Sequence, residues 1–494
     1  MSILGSNMRD QCEMIENGHR DQNGSCDMTH AGVPQAATLP PHDSEKTDES
    51  SNKGERSDIL DIAGQTSSGL KLNKWQASLI YITNQVGIGI LGLPAALQTL
   101  GLIPGTICII GLGITVMYTA YVLLQFFRRY PSVLSCVDCF RIIGGTSLST
   151  IVGIGFVLNQ LFACSSAVIT VSIALNSISE HAMCTILFIL VPTIFSYVLC
   201  MPRRMQFLAD FGIPCTISIL AATIIVMVTL GIAGPNGAPP GWEKEIVLVG
   251  HPSFAQGFTS VLNIAFAYAG NQAFVTVMAE MQDPSKDFMP SVFILQGFAI
   301  PMYTIVGTVV YVLAGEYTTS PALGAAPMMI AKIAYGLLLP TLLGTSLVFG
   351  HTSIRYMFIE WLRFMGRERE YGQNTRQTWV MWLGIGATFW TLVFLLGNAI
   401  PLFHSILSVS AALFVSWFTF GISGVMWLYL NWDVQFRDWK KTCLAVLTWT
   451  IIALTLFANG FGLWASIEQL VAAYHNPLVP VEGSFTCADN SVWG

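Results

Sequence analysis

Three glycines and a proline stand near the middle of the first long apolar run of this 494-residue sequence, at Gly87, Gly89, Gly92 and Pro94. Relative to alanine, glycine costs a helix interior about 1 kcal/mol and proline costs about 3 kcal/mol. Because lipid cannot hydrogen-bond the backbone groups that a helix break releases, such breaks persist where they face protein or an aqueous cavity. The pattern therefore predicts a binding site for an ion or a small molecule, built from free backbone N–H and C=O groups.

The same glycines also spell G-x-G-x-x-G, which in another context indicates a dinucleotide-binding turn. That fingerprint requires a preceding strand, a following helix that packs on a sheet, and an acidic residue about 20 positions later. Residues 103–113 are instead apolar throughout. Close packing of helices through small residues is the remaining alternative to a binding site.

A second apolar run is interrupted in a similar way between Asn263 and Gln272, where small and polar residues occupy the middle of the segment. This interruption follows the first by about half of the apolar region. Disrupted segments at matching positions in two halves indicate an inverted repeat of five plus five helices, with the ligand bound between the breaks. Small residues and amides that join neighbouring helices are the alternative.

Composition places these breaks in a membrane protein with many spans. The sequence is 53% hydrophobic and only 11% charged, whereas soluble domains carry about 25% charged residues. Apolar runs of about 20 residues, each able to cross a hydrocarbon core of about 30 Å, predict roughly eleven transmembrane helices. The predicted spans are 74–99, 103–127, 149–176, 182–200, 207–232, 253–280, 288–314, 326–361, 378–397, 400–430 and 440–473. We therefore expect repeat one at 74–232, repeat two at 253–430 and an extra helix at 440–473.

The distribution of Lys and Arg predicts the orientation of these spans, because positive residues favour cytoplasmic loops. With the N-terminus in the cytosol, only Lys244 and Lys332 fall at or near the outer side. The predicted cytoplasmic side carries Arg128, Arg129, Arg141, Arg203, Arg204, Lys286, Arg355, Arg363, Arg367, Arg369, Arg376, Arg437, Lys440 and Lys441. The short C-terminal tail, 474–494, is then expected outside the cell or in a lumen. Cys184 and Cys487 would share that side, where a disulfide between them is possible.

The N-terminal region 1–70 differs from the rest in composition. It is rich in Ser, Asp, Glu, Gly, Asn and Pro and lacks aromatic residues, which predicts a disordered cytosolic tail. Lys46 and Lys53 stand among Ser and Thr residues, so a ubiquitin ligase or a kinase is a candidate partner; an unregulated solubilising tail is the alternative. The remaining charges nearly balance, and we expect no nucleic-acid partner.

The interrupted segments also carry a resemblance to a known family. The stretch from Asn84 to Pro94 resembles the first-helix signature of the amino acid/auxin permease family, and Phe266 to Phe274 resembles its sixth-helix motif in the fungal form. The turn from Glu280 to Phe288 resembles the acidic, proline-containing turn that follows. Over residues 71–473 the sequence is similar to fungal neutral amino acid permeases of the N-system, methyltryptophan-resistance type.

This resemblance implies an eleven-helix, LeuT-like architecture and proton-coupled symport of neutral L-amino acids across the plasma membrane by alternating access. An amino acid sensor (transceptor) on the same scaffold and a vacuolar amino acid exporter are the alternatives. An enzyme is not expected, since the spans hold no Asp, His or Cys cluster with catalytic spacing, and no Walker loop indicates an ATP-driven pump. Neither a cofactor nor a metal is expected, because the C-x-x-C pair at Cys136 and Cys139 has no second pair.

An amino acid substrate gives the residues of the two breaks specific roles. We expect backbone N–H groups at Gly87, Ile88 and Gly89 to bind the carboxylate, and helix-end carbonyls to bind the ammonium. The candidate ammonium and side-chain ligands are Thr83, Asn84, Phe266, Ala267, Tyr268, Asn271, Asn159 and Phe162. Many animal and plant relatives carry histidine at the position of Asn271.

The eighth span supplies the candidates for binding the coupling ion. Thr345, Ser346 and His351 are predicted to face the first break. Histidine titrates near neutral pH and so suits a proton carrier, although a hydrogen-bonded structural histidine is the alternative. His404, near the start of the tenth span, is a further candidate. Because neither break contains a charged side chain, a zwitterion fits better than a cationic or anionic substrate.

Overall fold

The computed structural model describes residues 71–239, 242, 244–399, 403–474, 485–487 and 489–490. Within these residues the protein is all-α, with ten helices long and apolar enough to cross a membrane and one shorter apolar helix, α4. The segments are α1 (Lys74–Leu100), α2 (Leu102–Arg129), α3 (Cys136–Ser179), α4 (Thr185–Leu199), α5 (Met205–Ala233), α6 (Phe254–Met278), α7 (Pro284–Ala314), α8 (Met328–Phe364), α9 (Arg376–Ala399), α10 (Ile406–Val434) and α11 (Trp439–Ala472). The predicted polytopic helical architecture is thus confirmed.

Several predictions fall outside this description. The predicted tail 1–70, with Lys46 and Lys53, lies outside the described residues, as does the side chain of His404. Of the predicted C-terminal tail, only residues 474, 485–487 and 489–490 are described.

The two predicted interruptions are present in α1 and α6. The helical pieces are α1a (Lys74–Gln85), a 3₁₀ turn (Gly89–Gly92), α1b (Leu93–Leu100), α6a (Phe254–Ala267) and α6b (Asn271–Met278). Val86 leaves the helical region with φ −90° and ψ 56°. Pro94 lies in the first turn of α1b, where its missing N–H breaks no helical hydrogen bond. The proline therefore starts the second half-helix, and the glycine-rich stretch before it supplies the break.

The third helix begins earlier than the predicted span 149–176. It starts at Cys136, where Asp138 completes a capping box, and is kinked at Gly144 and Gly145. Gly145 has φ +72°, a conformation that glycine adopts without a Cβ penalty. Residues predicted to form a cytoplasmic loop are therefore a helical extension that bends at two consecutive glycines.

The broken helices lie inside the bundle and the longer helices surround them. Helix α8 packs along α3 and α5, α7 packs along α2 and α1a, and α1b packs against α6a. The most apolar 18-residue stretch of α1 is 89% buried, and that of α6 is 94% buried. The corresponding stretches of α9 and α11 are only 33% buried, as expected for helices that face lipid. The interrupted segments thus occupy the protein interior.

A disulfide closes one end of the bundle. Cys184, just before α4, is bonded to Cys487 of the C-terminal segment, so the possible pairing is confirmed. The same segment is held by Asn490, whose side-chain oxygen accepts a hydrogen bond from Asn176 over 2.7 Å. The backbone N–H of residue 485 donates to the carbonyl of Asn398 at the end of α9 over 3.2 Å. The C-terminal segment therefore ties together the neighbouring ends of α3, α4 and α9.

Candidate functional site

The two helix breaks meet by direct backbone contact. A Cβ atom at Gly89 would lie less than 3.0 Å from the Ala267 Cα, and one at Gly270 would lie 2.8 Å from the Gln85 side-chain oxygen. The Asn84 amide nitrogen also reaches the Gly270 carbonyl at 3.5 Å. Because any side chain at Gly89 would collide with backbone atoms, glycine at this position is what allows the breaks to cross.

A small cleft opens at this crossing. Its lining comes from α1, α6 and α8 and is uncharged throughout: Asn84, Gln85, Ile88, Gly89, Phe266, Ala269, Thr345 and Phe349. This neutral lining suits a small ligand without net charge.

Polar groups with spare hydrogen-bonding capacity face the crossing. Asn84 is 3% exposed, and its side-chain oxygen has no partner among the described residues. The first N–H groups of the turn that begins at Gly89 lack a preceding helical carbonyl. The cleft thus combines an acceptor with backbone donors, which is the pairing that a zwitterion requires.

Of the three predicted coupling residues, Thr345 lies at the break. Its hydroxyl donates to the Thr83 carbonyl over 3.1 Å, and it also lines the cleft. A Cβ atom at Gly87 would overlap this hydroxyl. Thr83 and Gly87 are therefore placed against α8 through Thr345 and do not line the cleft themselves.

Ser346 and His351 face other helices. The Ser346 hydroxyl lies 3.0 Å from that of Ser196 on α4. His351 is fully buried; its Nε2 lies 3.0 Å from the Pro202 carbonyl, and its ring packs against Trp382 of α9 with centroids 5.4 Å apart. The expectation that these two side chains face the first break is not met in this structure.

Two predicted ligands of the sixth segment also point away from the cleft. The Tyr268 hydroxyl donates to the Ile109 carbonyl of α2 over 2.9 Å. The Asn271 amide donates to the Thr119 hydroxyl over 2.6 Å and to the Thr419 carbonyl over 2.8 Å. These side chains join α6 to α2 and α10. Ala267 forms the backbone crossing with Gly89 and likewise does not line the cleft.

The predicted residues of α3 divide in the same way. The Asn159 amide donates to the side-chain oxygen of Gln272, and Gln272 donates in turn to the carbonyl of Ala269, a cleft residue, over 3.3 Å. Phe162 instead packs against Phe414 of α10, with ring centroids 5.6 Å apart. Asn159 is therefore one hydrogen-bonded residue removed from the cleft, while Phe162 contributes to helix packing.

Three cleft residues were not predicted. Gln85 and Ala269 lie inside the two interrupted stretches, so the same pattern that singled out their neighbours covers them. Phe349 follows Thr345 by four residues in α8, and residues at that spacing share one face of a helix. That spacing was the available signal for Phe349.

Glu280, which follows α6, joins three segments at one end of the bundle. Its carbonyl accepts a hydrogen bond from the backbone N–H of Leu72 over 2.9 Å, and the Leu72 carbonyl accepts one from Gln282 over 3.0 Å. Its carboxylate forms an ion pair with Arg355 of α8, whose side chain is 6% exposed. The Arg355 guanidinium lies 5.8 Å from the centre of the Tyr371 ring, and burial raises the pKa of that tyrosine. The chain before α1 is thus fixed to the end of α6.

Comparison with known proteins shows the family to which this chain belongs. Residues 71–468 match the sequence profile of the family described as transmembrane amino acid transporter protein. The chain belongs to this family. It is therefore a multi-pass membrane protein that transports amino acids, and not an enzyme.

Fungal proteins of this kind are similar over most of their length. An N amino acid transport system protein of Neurospora crassa is 30% identical over 420 residues, which cover 83% of this chain and 87% of the relative. A transmembrane transporter of Gibberella moniliformis is 27% identical, with 84% and 88% covered. A transmembrane transporter of Fusarium pseudograminearum is 26% identical, with 84% and 87% covered.

Proposed function

We propose that this transporter carries neutral L-amino acids together with protons, by alternating access, across the plasma membrane. The observation that carries the proposal is the uncharged cleft at the point where the breaks of α1 and α6 cross. Backbone ends of both signs converge there without a fixed side-chain charge. The name of the Neurospora relative, an N amino acid transport system protein, is consistent with this substrate class.

Recognition of the substrate would use the two ends of the broken helices. The carboxylate would accept hydrogen bonds from the N–H groups at Ile88 and Gly89, which line the cleft and where the helix dipole contributes about 0.3–2 kcal/mol. The ammonium would donate to helix-end carbonyls near Asn84 and Phe266. Asn84 and Phe266 line the cleft and would contact the bound molecule directly.

The lining also supports the proposed preference for neutral side chains. All eight cleft residues are uncharged, so the charged head of a cationic or anionic side chain would lose water without gaining a partner. Burial of an unpaired charge costs several kcal/mol. Substrates whose only charges are the α-carboxylate and α-ammonium avoid this cost.

Alternating access would open the cleft to each side in turn. At the Glu280 end Leu72 pairs with Glu280 and Gln282, and Arg355 forms an ion pair with Glu280, so opening at this end would require these contacts to separate. Positively charged loops favour placing this end in the cytosol, with the C-terminal segment outside. The proposed repeats, 74–232 and 253–430, would supply one broken helix each, with 440–473 as an addition.

Proton coupling would make such uptake concentrative without ATP. Moving one proton with one zwitterion transfers one charge, worth about 2.3 kcal/mol per 100 mV, or roughly fifty-fold accumulation per 100 mV. Thr345 is the coupling candidate that lies at the cleft. Ser346 and His351 would act only through the packing of α8 against α4 and α9.

Uptake of labelled neutral amino acids into cells that lack their own permeases tests this proposal. The transporter is expressed, its presence at the surface is verified, and uptake is measured at pH 5 and pH 7.5, with and without sodium and a protonophore. We expect saturable uptake that is faster at pH 5, independent of sodium and abolished by the protonophore. Absence of uptake at a verified surface location would contradict symport and favour a sensor, and retention on the vacuole would favour vacuolar export.

A further inference from the structure

A single hydroxyl group lies between the ends of both interrupted helices. The Tyr303 hydroxyl of α7 is 2.7 Å from the Gln85 carbonyl oxygen and 2.7 Å from the Ala267 carbonyl oxygen. Gln85 is the last residue of α1a, and Ala267 is the last residue of α6a. One side chain from a third, uninterrupted helix thus contacts the C-terminal ends of both half-helices.

Each of these carbonyls is an acceptor that its own helix cannot satisfy. The last four C=O groups of a helix lack intrahelical partners and carry the negative end of the helix dipole. A tyrosine hydroxyl has one proton to donate, so the two carbonyls share it, and each keeps capacity for a further donor. The hydroxyl therefore sets the spacing of the two acceptors without saturating them.

The surroundings of Tyr303 fix this hydroxyl in place. The side chain is fully buried, and its ring packs edge-to-face on Tyr268 with centroids 5.1 Å apart. The same helix holds Gln85 a second time, because the Gln296 amide donates to the Gln85 side-chain oxygen over 3.2 Å. Helix α7 therefore anchors Gln85, the last residue of α1a, through both the backbone carbonyl and the side chain of that residue.

We propose that Tyr303 is a positioning residue for substrate: its hydroxyl ties the Gln85 carbonyl to the Ala267 carbonyl at the end of α6a, and so holds the Gln85 carbonyl where it accepts a hydrogen bond from the substrate's ammonium group. This inference rests on the proposed function and adds Gln85, a cleft-lining residue, to the carbonyls that bind the ammonium. It also implies that the ends of α1a and α6a are held as one unit while the ammonium is bound.

Two other tyrosines show that burial alone does not create such a contact. Tyr81 and Tyr335 are also fully buried, yet their hydroxyls have no hydrogen-bond partner among the described residues. Tyr335 lies in α8. It offers a matched control, because Tyr335→Phe removes a buried phenol hydroxyl without removing a recorded hydrogen bond.

The test compares the uptake kinetics of full-length Tyr303→Phe and Tyr335→Phe, using a labelled neutral amino acid and equal amounts of transporter at the surface. For Tyr303→Phe we expect the KM to rise about tenfold while the maximal rate stays within twofold of wild type. For Tyr335→Phe both values should stay within twofold. A KM for Tyr303→Phe equal to that of Tyr335→Phe would overturn the inference, as would a lower maximal rate with an unchanged KM.

A second variant covers the case in which Tyr303→Phe does not reach the surface. Replacing Tyr303 with difluorotyrosine keeps the shape of the side chain and changes the strength of the hydroxyl donor. The KM should then differ from wild type by more than twofold, while the same replacement at Tyr335 leaves it unchanged. Equal KM values at both positions would overturn the inference. If wild type itself shows no saturable uptake, the proposed function fails, and this inference fails with it.

Discussion

The cleft and the Glu280 end hold α6 against its neighbouring helices through different interactions. At the cleft the contacts are between backbones and neutral polar groups, with Gly89 against Ala267 and Gln85 against Gly270. At the Glu280 end a carboxylate and a guanidinium form a nearly buried ion pair. The neutral region is suited to binding a zwitterion, whereas the charged region is suited to holding the bundle closed.

The charged end extends beyond this one pair. Arg363 of α8 pairs with Asp138 at the start of α3 and with Glu360, and Glu360 also pairs with Arg141. A buried pair contributes little net stability but is costly to leave half-removed. The comparison therefore predicts that uptake is most sensitive to added side-chain volume at the cleft. Folding stability should be most sensitive to an unpaired charge at the Glu280 end.

The largest expected effect on uptake is at the backbone crossing. Gly89→Val should abolish uptake, with a loss of more than 100-fold, because even a Cβ atom at this position overlaps Ala267. Gly92→Ala is the matched control, since its Cβ would lie 3.7 Å from Leu407, an ordinary contact distance. Uptake assays at equal surface amounts should show at least half of wild-type activity for Gly92→Ala. Equal loss in both variants would contradict a specific role for the crossing.

The next effect is at the charged end. Arg355→Met leaves the Glu280 carboxylate buried without its partner, which costs about 3–5 kcal/mol of folding stability. We expect at least a tenfold drop in the amount of folded transporter, measured by size-exclusion chromatography of detergent extracts after mild heating. Adding Glu280→Gln to Arg355→Met should restore much of this amount. If the double variant is no more stable than Arg355→Met, the unpaired Glu280 carboxylate is not the cause of the lost stability.

A smaller effect is expected where α8 meets the first break. Thr345→Val removes the hydroxyl that donates to the Thr83 carbonyl, a hydrogen bond worth about 0.5–1.5 kcal/mol. The KM for a neutral amino acid should rise about fivefold. Ser346→Ala, whose hydroxyl contacts Ser196 of α4, should change the KM less than twofold. A larger effect for Ser346→Ala than for Thr345→Val would reverse the assignment of the cleft-facing side of α8.

The smallest effect on uptake is expected at the disulfide, which lies at the opposite end from Glu280. Cys487→Ser should leave the KM within twofold of wild type, because the bond ties helix ends and does not contact the cleft. Cys443→Ser, which removes an exposed free thiol, is the control. Labelling with a membrane-impermeant maleimide should detect Cys184 only in the Cys487→Ser variant. A KM change above fivefold would place this end in the binding mechanism.

The helices and their interruptions were predictable because their signals are local. Runs of about 20 apolar residues specify spans, and Gly87 to Pro94 specifies a break within one span. The kink in α3 was missed, although consecutive glycines at 144 and 145 were a local signal. The family membership followed from the two interrupted motifs.

The orientation of individual side chains was less predictable, because packing sets the rotation of each helix. Thr345 and Ser346 are neighbours in sequence but point about 100° apart around α8; only Thr345 reaches the break. Tyr268 and His351 were expected at the site on residue type, yet each contacts a backbone carbonyl of another segment. The Tyr303 contact depends on where α7 packs, and no sequence pattern near residue 303 predicts it.

Direct binding of a labelled neutral amino acid to purified transporter tests the central claim that the crossing of the two breaks is the substrate site. Wild type, Gly92→Ala and Gly89→Val would be compared in a scintillation proximity assay, with folding verified for each by size-exclusion chromatography. We predict saturable binding to wild type and Gly92→Ala and at least a 100-fold weaker affinity for folded Gly89→Val. Binding to folded Gly89→Val with the affinity of wild type would contradict the claim.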